Sequence, residues 1–443
     1  MDRRIKFSEI TTELRARIPL IQEENLALLN ELSSHETSPN WNYECGDRVT
    51  QLDLKPINEF AEELFLKRDF NIESPNEKII EFLNRNNNYS SYFSRTLTRI
   101  DIEKNFSLIS IMKREDIAKR LVDIVPYSAD LSRVIVNPTS GTTGHSILCP
   151  NHPLTIACYS HMILYALEKN HIHLNLNSKE AGVMMVSFQE KTAMYSTVKP
   201  YMKGSGFSKL NLNPNVWRDK THPSSYLNFF KPELITGNPI SLQELLNLSL
   251  SFSPKAILST SMELSVELKH ELEKKLNTKV INFYSLNETG PIGFSDTDDP
   301  NLFSILPHDL FLEVTDEEGY SLNLGEVGNL TITCFRNPFL PLLRYATGDK
   351  AKLIKDESGS LKFMLLDSRK PVLYKTPSGK KVNPIDINQI IRRYPILKHQ
   401  IEVLSQDKIQ FKLETESGLI YFFDNLKEDL VALFNEEVEI EIL

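Results

Sequence analysis

The sequence predicts an α/β protein built as a large N-terminal domain, residues 1–368, and a small α+β C-terminal domain, residues 369–443. Three observations carry this. Residues 1–125 place apolar side chains at helical spacing. From about residue 131, short apolar strands alternate with helices. After residue 305 the texture turns strand-rich, and the last 75 residues read as a unit of their own. A length of 443 residues, at roughly 150 residues per domain, fits this division.

In the helical region, FSEITTELRARIPLIQEENLALLNEL and PINEFAEELFLKRDF both carry apolar residues on one helical face. VIVN and ILC are short strands around a Ser/Gly/Thr loop, followed by a helix over PLTIACYSHMILYALEKN. AGVMMVSF is a buried strand by its continuous apolar run, and KPELITG, SPKAILST and TKVINFY are three more. SMELSVELKHELEKKLNT, between the last two, is an amphipathic helix with Glu/Lys pairs. DLFLEVTD, GNLTITCF, AKLIKD and LKFMLL, with turns at EEG and ESG, predict a small antiparallel β-barrel-like part or sheet. Beyond Ser368, PVLYKT and KKV flank the turn PSG, and IDINQIIRRY is a helix. IEVLSQ and KIQFKLET make a hairpin, NLKEDLVALFNE is a helix, and EVEIEIL is a last strand.

Composition narrows the function. Hydrophobic residues make up 41% and charged residues 25%, as in globular domains with a sizeable core. With 50 basic against 59 acidic residues the net charge is −9, so nucleic acid and anionic membrane surfaces are not the expected partners. Cys45, Cys149, Cys158 and Cys334 are too few for a disulfide scaffold and point to a reducing, cytoplasmic setting. The charged N-terminus lacks the apolar core of a signal peptide, and no apolar run approaches the 18 residues of a spanning helix. Glycine is scarce, 16 of 443, so its clusters carry information.

Three loops can carry chemistry. Thr139-Ser140-Gly141-Thr142-Thr143-Gly144 sets two glycines among four hydroxyl residues between two short strands. Glycines let backbone N–H groups turn inward around an anion, and the hydroxyls add donors. The Gly-Lys-Ser/Thr ending of a Walker A loop is absent, and a plain hairpin turn fits the same residues. Tyr284-Ser285-Leu286-Asn287-Glu288-Thr289-Gly290 follows the strand VINF. A Tyr at a strand's C-terminal end can stack on a flat heterocycle, and Glu288 can hold Mg²⁺; a surface loop with a core Tyr is the alternative. In Arg344-Tyr345-Ala346-Thr347-Gly348-Asp349 the carboxylate can accept both hydroxyls of a ribose, or the stretch is a turn that opens the next strand.

Together and in this order, the three loops resemble the adenylate-forming superfamily of acyl- and aryl-CoA ligases, peptide-synthetase adenylation domains and luciferases. That family reads Ser/Thr-Ser-Gly-Thr-Thr-Gly, Tyr-Gly-x-Ser/Thr-Glu and Tyr-x-Thr-Gly-Asp at these places. Within it the chain is most similar to the phenylacetate–CoA ligase branch. The stretch from Leu108 to Ile117 resembles that branch's lead-in, and Arg344 stands before Tyr345 as it does there. Ile235 to Ser241, and Gly379-x-x-Val382-x-Pro384, are further matches, so the resemblance spans roughly residues 100–390.

The resemblance implies activation of a carboxylic acid as acyl-adenylate with release of pyrophosphate, then transfer to a thiol or another acceptor. ATP and Mg²⁺ are the implied cofactors and CoA the default acceptor; an amine or a carrier protein is the alternative. Ser140, Gly141, Thr142, Thr143 and Gly144 are implied at the β- and γ-phosphates and Tyr284 at adenine. Asn287 and Glu288 are implied at the α-phosphate and Mg²⁺, Asp349 at the ribose, and Arg369 at the nucleotide near the hinge. Ser259 to Met262 match the backbone that lines the adenine pocket. By this carry-over Glu288, Thr143 and Arg369 are the catalytic candidates and Glu288 the metal ligand. By position, Phe188, Gln189, Tyr195, Asn238 and Phe283 are candidates for the acid, although aromatics at such places also read as core. Cys149 lies in an apolar strand and reads as an inert buried thiol. Cys149, His152 and Cys158 lack a fourth ligand at metal spacing.

Departures from the family pattern are Ser285 for its Gly, His145 and Ser146 where a basic residue is common, and Pro371 and Val372 for its hinge Asp. The family's catalytic Lys follows the small domain's last strands, whereas the last Lys here is Lys427. Loss of one such donor typically costs about 10²–10³ in rate. The resulting expectations are a slow first step, substitution by Lys375, Lys380 or Lys381, or a step not retained. A nucleotide-binding partner subunit and a nucleotidyltransferase for another anion are the rival functions.

Overall fold

The computed structural model describes residues 7–66, 75, 77–86, 88–97, 101–138, 147–307, 310–367, 370–415 and 423–443. Helices dominate the first part: α1 (Thr12–Arg17), α2 (Glu23–Ser34), α3 (Gln51–Glu63), α4 (Glu77–Arg85), α5 (Ser91–Leu97), α6 (Ile102–Asn105) and α7 (Arg114–Ile124). The first amphipathic stretch divides into α1 and α2 at Ile18, whose φ of −128° and ψ of 79° are non-helical. Pro19 follows it, and a residue before proline is pushed out of the helical region. α3 is capped at Thr50, whose N–H donates to Asp53 Oδ2 at 2.7 Å. The same carboxylate takes a two-pronged bond from Arg133, at 3.0 Å and 2.6 Å. That pair ties α3 to the start of the hairpin β1 (Ile135–Pro138) and β2 (Leu148–Asn151), which are antiparallel. The Ser/Gly/Thr loop between them lies outside the described residues.

The central region runs α8 (Pro153–Lys169), β3 (Ala181–Ser187), β4 (Tyr195–Lys199), β5 (Ser205–Asn211), α9 (His222–Phe230), β6 (Leu234–Gly237) and α10 (Pro239–Leu245). It continues with β7 (Ala256–Thr260), α11 (Val266–Leu276), β8 (Lys279–Leu286), β9 (Gly290–Phe294), β10 (Leu302–Ile305), β11 (Leu310–Thr315), β12 (Gly328–Cys334), β13 (Leu342–Lys355) and β14 (Leu361–Asp367). Among the described residues β3 to β14 form one twelve-stranded sheet, in the order β11-β12-β13-β14-β10-β9-β8-β7-β6-β3-β5-β4. β5, β3, β6, β7 and β8 are parallel neighbours. Helices cover these strands, which explains their unbroken apolar runs. On the other side of β8 every pairing is antiparallel. Of the barrel and the sheet open after residue 305, the strands take the sheet, continuous with the parallel block through β9 and β10. Those linkers escape sequence reading because GPIGF carries two glycines and a proline. Gly290 has a positive φ of 72°, and a Cβ there would lie 2.2 Å from the Tyr159 ring.

The C-terminal unit holds β15 (Tyr374–Lys375), β16 (Lys381–Val382), α12 (Pro384–Ile391), β17 (Ile396–Ser405), β18 (Lys408–Thr415), α13 (Asp424–Leu433) and β19 (Glu439–Ile442). Val382, Ile387, Phe411, Leu430 and Phe434 form a core separate from that of the large sheet. The boundary placed at Ser368 lies outside the described residues. The unit docks on the loop after β3. Asn383 Nδ2 donates to Phe188 O at 2.8 Å, and Gln389 Nε2 to Lys191 O at 3.2 Å. Asp386 accepts the Glu190 N–H at 2.9 Å and the Lys191 N–H at 3.5 Å. Lys381 pairs with Glu244 and lies over the Phe188 ring at 5.9 Å.

Burial, with Glu190 adding to it, pushes the Asp386 carboxyl up to about 6 against the backbone bonds that favour its charge. A raised carboxyl makes its stabilising contribution below its ordinary value near 4 and loses it as pH rises through 6. Docking is therefore expected to loosen between pH 4 and pH 7. Asp386→Asn should flatten that change, read by hydrogen exchange at the Glu190 and Lys191 amides.

Candidate functional site

A cavity of about 510 Å³ opens beyond the C-terminal ends of β6, β7 and β8, where the sheet changes from parallel to antiparallel. Crevices of this kind are where open α/β sheets bind ligands. Asn238 follows β6, Ser261 and Met262 follow β7, Phe283 to Leu286 end β8, and Asn287 and Glu288 follow it; all line the cavity. Asp349 comes from β13, and Ile385, Asn388, His399 and Gln400 come from the C-terminal unit. The cavity is thus shared by both units.

Tyr284 reaches this wall because β8 runs parallel to β7 up to its last turn of chain. Its ring packs edge-on against Phe363 at 5.6 Å, and its hydroxyl donates to Asp349 Oδ2 at 2.6 Å. Asp349 sits in a bulge: β13 pairs with β12 at Ala346↔Thr331 and Lys350↔Asn329, so residues 347–349 face a single partner. Such bulges re-aim side chains. Gly348 supplies the left-handed φ of 88°. The Thr347 hydroxyl donates to Leu330 O at 2.9 Å and accepts the Asp349 N–H at 3.2 Å. The Thr-Gly-Asp motif is therefore a fixed kink inside a long strand rather than a turn before one.

Glu288 sits in the turn joining β8 to β9, only 3% exposed. Its Oε1 accepts Arg114 Nη1 at 2.6 Å and the Tyr345 hydroxyl at 3.0 Å. Burial, with Glu288 adding to it, holds the Tyr345 phenol far above its ordinary range, so it stays a donor. Arg114 keeps 16% of its side chain exposed and lines the cavity. It is the first residue of α7, where a cation opposes the helix dipole. Glu288 supplies the charge that holds it there.

Behind this wall lies Arg344, 1% exposed, with every N–H of its guanidinium engaged. Nε and Nη2 grip Glu313 at 3.1 Å and 3.0 Å, and Nη2 also donates to Gly319 O at 2.8 Å. Nη1 donates to Ser107 O at 2.6 Å and Ile109 O at 2.7 Å. Arg344 has a left-handed φ of 46° in a second bulge, where Leu342↔Cys334 and Tyr345↔Ile332 leave residues 343–344 opposite Thr333. Such backbone typically costs about 1–3 kcal/mol for a residue other than glycine. Met112 is bonded into the same strand: its N–H donates to Arg344 O at 3.0 Å, and its O accepts the Ala346 N–H at 2.9 Å.

The structure gathers Tyr284, Asn287, Glu288, Asp349, Asn238 and Phe283 around one cavity. Ser261 and Met262 join them, while Ser259 is buried. Asn238 also caps α10, accepting the Ser241 N–H at 2.9 Å. Phe188 and Tyr195 lie away from the cavity lining. Phe188 packs on the core of the large sheet and under Lys381, and Tyr195 stacks on Phe207 with centroids 6.0 Å apart. Ser140, Gly141, Thr142, Thr143, Gly144, His145 and Arg369 lie outside the described residues. Lys380 is spent on Leu433 O and Asn435 Oδ1 and Lys381 on Glu244. Cys149 is buried, and burial pushes its thiol up, as expected of an inert one. Among the described residues no group of three or more His, Cys, Asp or Glu side chains converges on a metal position.

Sequence reading gave no role to Arg114, Lys370, His399 and Gln400, all in the cavity wall. Burial lowers the His399 pKa, so at neutral pH the small unit presents a neutral imidazole. Arg114 left one signal, a basic residue opening a helix where an acid is preferred. Arg114→Ala should destabilise the protein by about 3 kcal/mol, because it strands a buried carboxylate. Adding Glu288→Gln should restore most of that loss, and urea unfolding of both variants measures it.

No family model matches the chain. The chain is similar to Protein CapK of Staphylococcus aureus, at 22% identity over 312 residues, a match spanning 66% of each protein. It is also similar to solved structures of 2-hydroxyisobutyryl-CoA ligase. The complex with 2-HIB-AMP and CoA in the thioesterification state superposes with a TM-score of 0.52, 14% identity, and 83% and 86% of the two chains covered. The postadenylation complex with R3-HIB-AMP gives 0.50, 12%, and 83% and 84%. No described helix is long and apolar enough to cross a membrane. These superpositions show that the chain shares the fold of 2-hydroxyisobutyryl-CoA ligase.

Proposed function

We propose that the protein activates a carboxylic acid with ATP, forms an acyl-adenylate with release of pyrophosphate, and passes the acyl group to CoA. The observation that carries this is the convergence of Tyr284, Asp349, Glu288 and Arg114 on one cavity. Tyr284 offers a ring for the base, and Asp349 a carboxylate for the ribose hydroxyls. Glu288 and Arg114 put opposite charges where phosphates and their ion would sit. Attack by a carboxylate on a phosphate already ringed by negative oxygens needs position and charge control more than covalent help. The site fits Mg²⁺: the ion usually takes one or two carboxylates and completes its shell with water and substrate phosphates. Glu288 would hold it, and the bound ion would neutralise phosphate charge. Ser140, Gly141, Thr142, Thr143 and Gly144 complete the phosphate end in this reading, and Arg369 the hinge side.

The substrate is a small aromatic or short-chain acid taken up near Asn238 and Phe283, as in enzymes of the phenylacetate–CoA ligase kind. Phe188 and Tyr195 serve it only if the loop after β3 rearranges. The large domain ends at residue 368 and the small one follows. The place of action is the cytoplasm, and an amine or carrier protein is the alternative acceptor.

Acid-dependent release of pyrophosphate from Mg·ATP, across a panel of aryl and short-chain acids, tests this. Asp349→Ala should raise the KM for ATP by about 10- to 100-fold, the loss of a charged hydrogen bond of about 1.5–3 kcal/mol. Glu288→Gln should lower kcat about 10²-fold. Release that ignores every acid, or variants that match the parent, would sink the proposal.

A further inference from the structure

Arg344 and Glu313 lie outside the cavity lining, yet the pair is costly. A guanidinium and a carboxylate are both withdrawn from water, and the arginine backbone is left-handed. Buried ion pairs seldom stabilise more than apolar residues of the same volume. What this pair supplies is position. Two of the guanidinium's bonds run to Ser107 O and Ile109 O, in the segment that leads into α7. The bulge that turns Arg344 toward that segment also leaves Tyr345, the next residue, pointing at Glu288. Met112 is bonded to the backbone of both Arg344 and Ala346, and two residues later Arg114 reaches Glu288 at 2.6 Å. Both donors on Glu288 Oε1 therefore trace back to one buried guanidinium.

We propose that Arg344 is a positioning residue for the Glu288 carboxylate, acting through residues 107–114 and through Tyr345, and that it thereby sets divalent-ion affinity at that carboxylate. This rests on the reading of Glu288 as the ion's ligand. Arg344 touches neither substrate nor ion. Its effect is to keep one carboxylate oxygen occupied by fixed donors and the carboxylate plane in one orientation, so that no ordering remains to be done when an ion binds.

The test uses the full chain and Mn²⁺ as the probe ion, titrated by paramagnetic resonance in the presence of ATP. Adenosine affinity and thermal unfolding are measured alongside. Arg344→Lys keeps the charge and loses the fork. The double variant Arg344→Met with Glu313→Leu removes both charges and keeps the volume. Both should bind Mn²⁺ at least tenfold more weakly with adenosine affinity within twofold of the parent, and the Met112 and Ala346 amides should exchange faster. Arg344→Lys should retain more affinity than the double variant. A folded variant of either kind with the parent's Mn²⁺ affinity overturns the proposal. If the double variant fails to fold, Arg344→Lys alone decides. Glu288→Gln separates the two claims. If it weakens Mn²⁺ binding while Arg344→Lys does not, only the positioning role falls. If it leaves Mn²⁺ binding unchanged, or the parent binds no nucleotide, the reading of Glu288 falls and the positioning role with it.

Discussion

One buried carboxylate organises this molecule's candidate site. Glu288 stands where the parallel half of the sheet gives way to the antiparallel half, shielded from water, with both donors on the same oxygen. A charge in that place is tolerable only if its partners are held rigidly. The two partners come from segments far apart in sequence. Arg114 opens a helix of the N-terminal region, and Tyr345 lies on the long strand β13. Tertiary structure had to bring the two together, and the means is a second buried pair, Arg344 with Glu313. The strain at Arg344 and the kink at Thr347–Asp349 lie in the same strand on either side of Tyr345. β13 is thus bent twice to serve one cavity wall.

The cavity's other wall belongs to the C-terminal unit, and its composition differs. Where the large sheet and its loops supply carboxylates and a guanidinium, the small unit supplies Lys370, Tyr374, Asn388, His399 and Gln400 and no carboxylate. Backbone-directed bonds fix this arrangement. Asp386, Asn383 and Gln389 all address main-chain groups of residues 188–191. Such contacts depend on the shape of the loop more than on its side chains. They also account for Phe188, which serves the docking surface in this arrangement of the two units.

Much of this was legible in the sequence, for identifiable reasons. Strands of the parallel block announce themselves because burial on both faces forces continuous apolar runs, as in AGVMMVSF. Tyr284, Glu288 and Asp349 were legible because each stands in a short motif whose glycines and hydroxyls are there for conformational reasons. Gly348 gives the left-handed bend that turns Asp349, and Thr347 ties it down. β9 was not legible, since its glycine lets the Tyr159 ring approach and that neighbour is 131 residues away. Nor was Arg114, whose partner is 174 residues on. Arg344 was visible as a residue and opaque as a device: five bonds to four distant groups leave no local pattern. Phe188 and Tyr195 stand near strand ends, and local position alone does not tell whether such an aromatic lines the cavity, which these two do not.

A structure of the chain with Mg²⁺ and a non-hydrolysable ATP analogue tests the account most directly. The base should lie against Tyr284, the ribose hydroxyls on Asp349, and the ion on Glu288 with Arg114 still adjacent. A nucleotide seated elsewhere, or in this cavity with its ribose out of reach of Asp349 and its ion away from Glu288, would contradict the account.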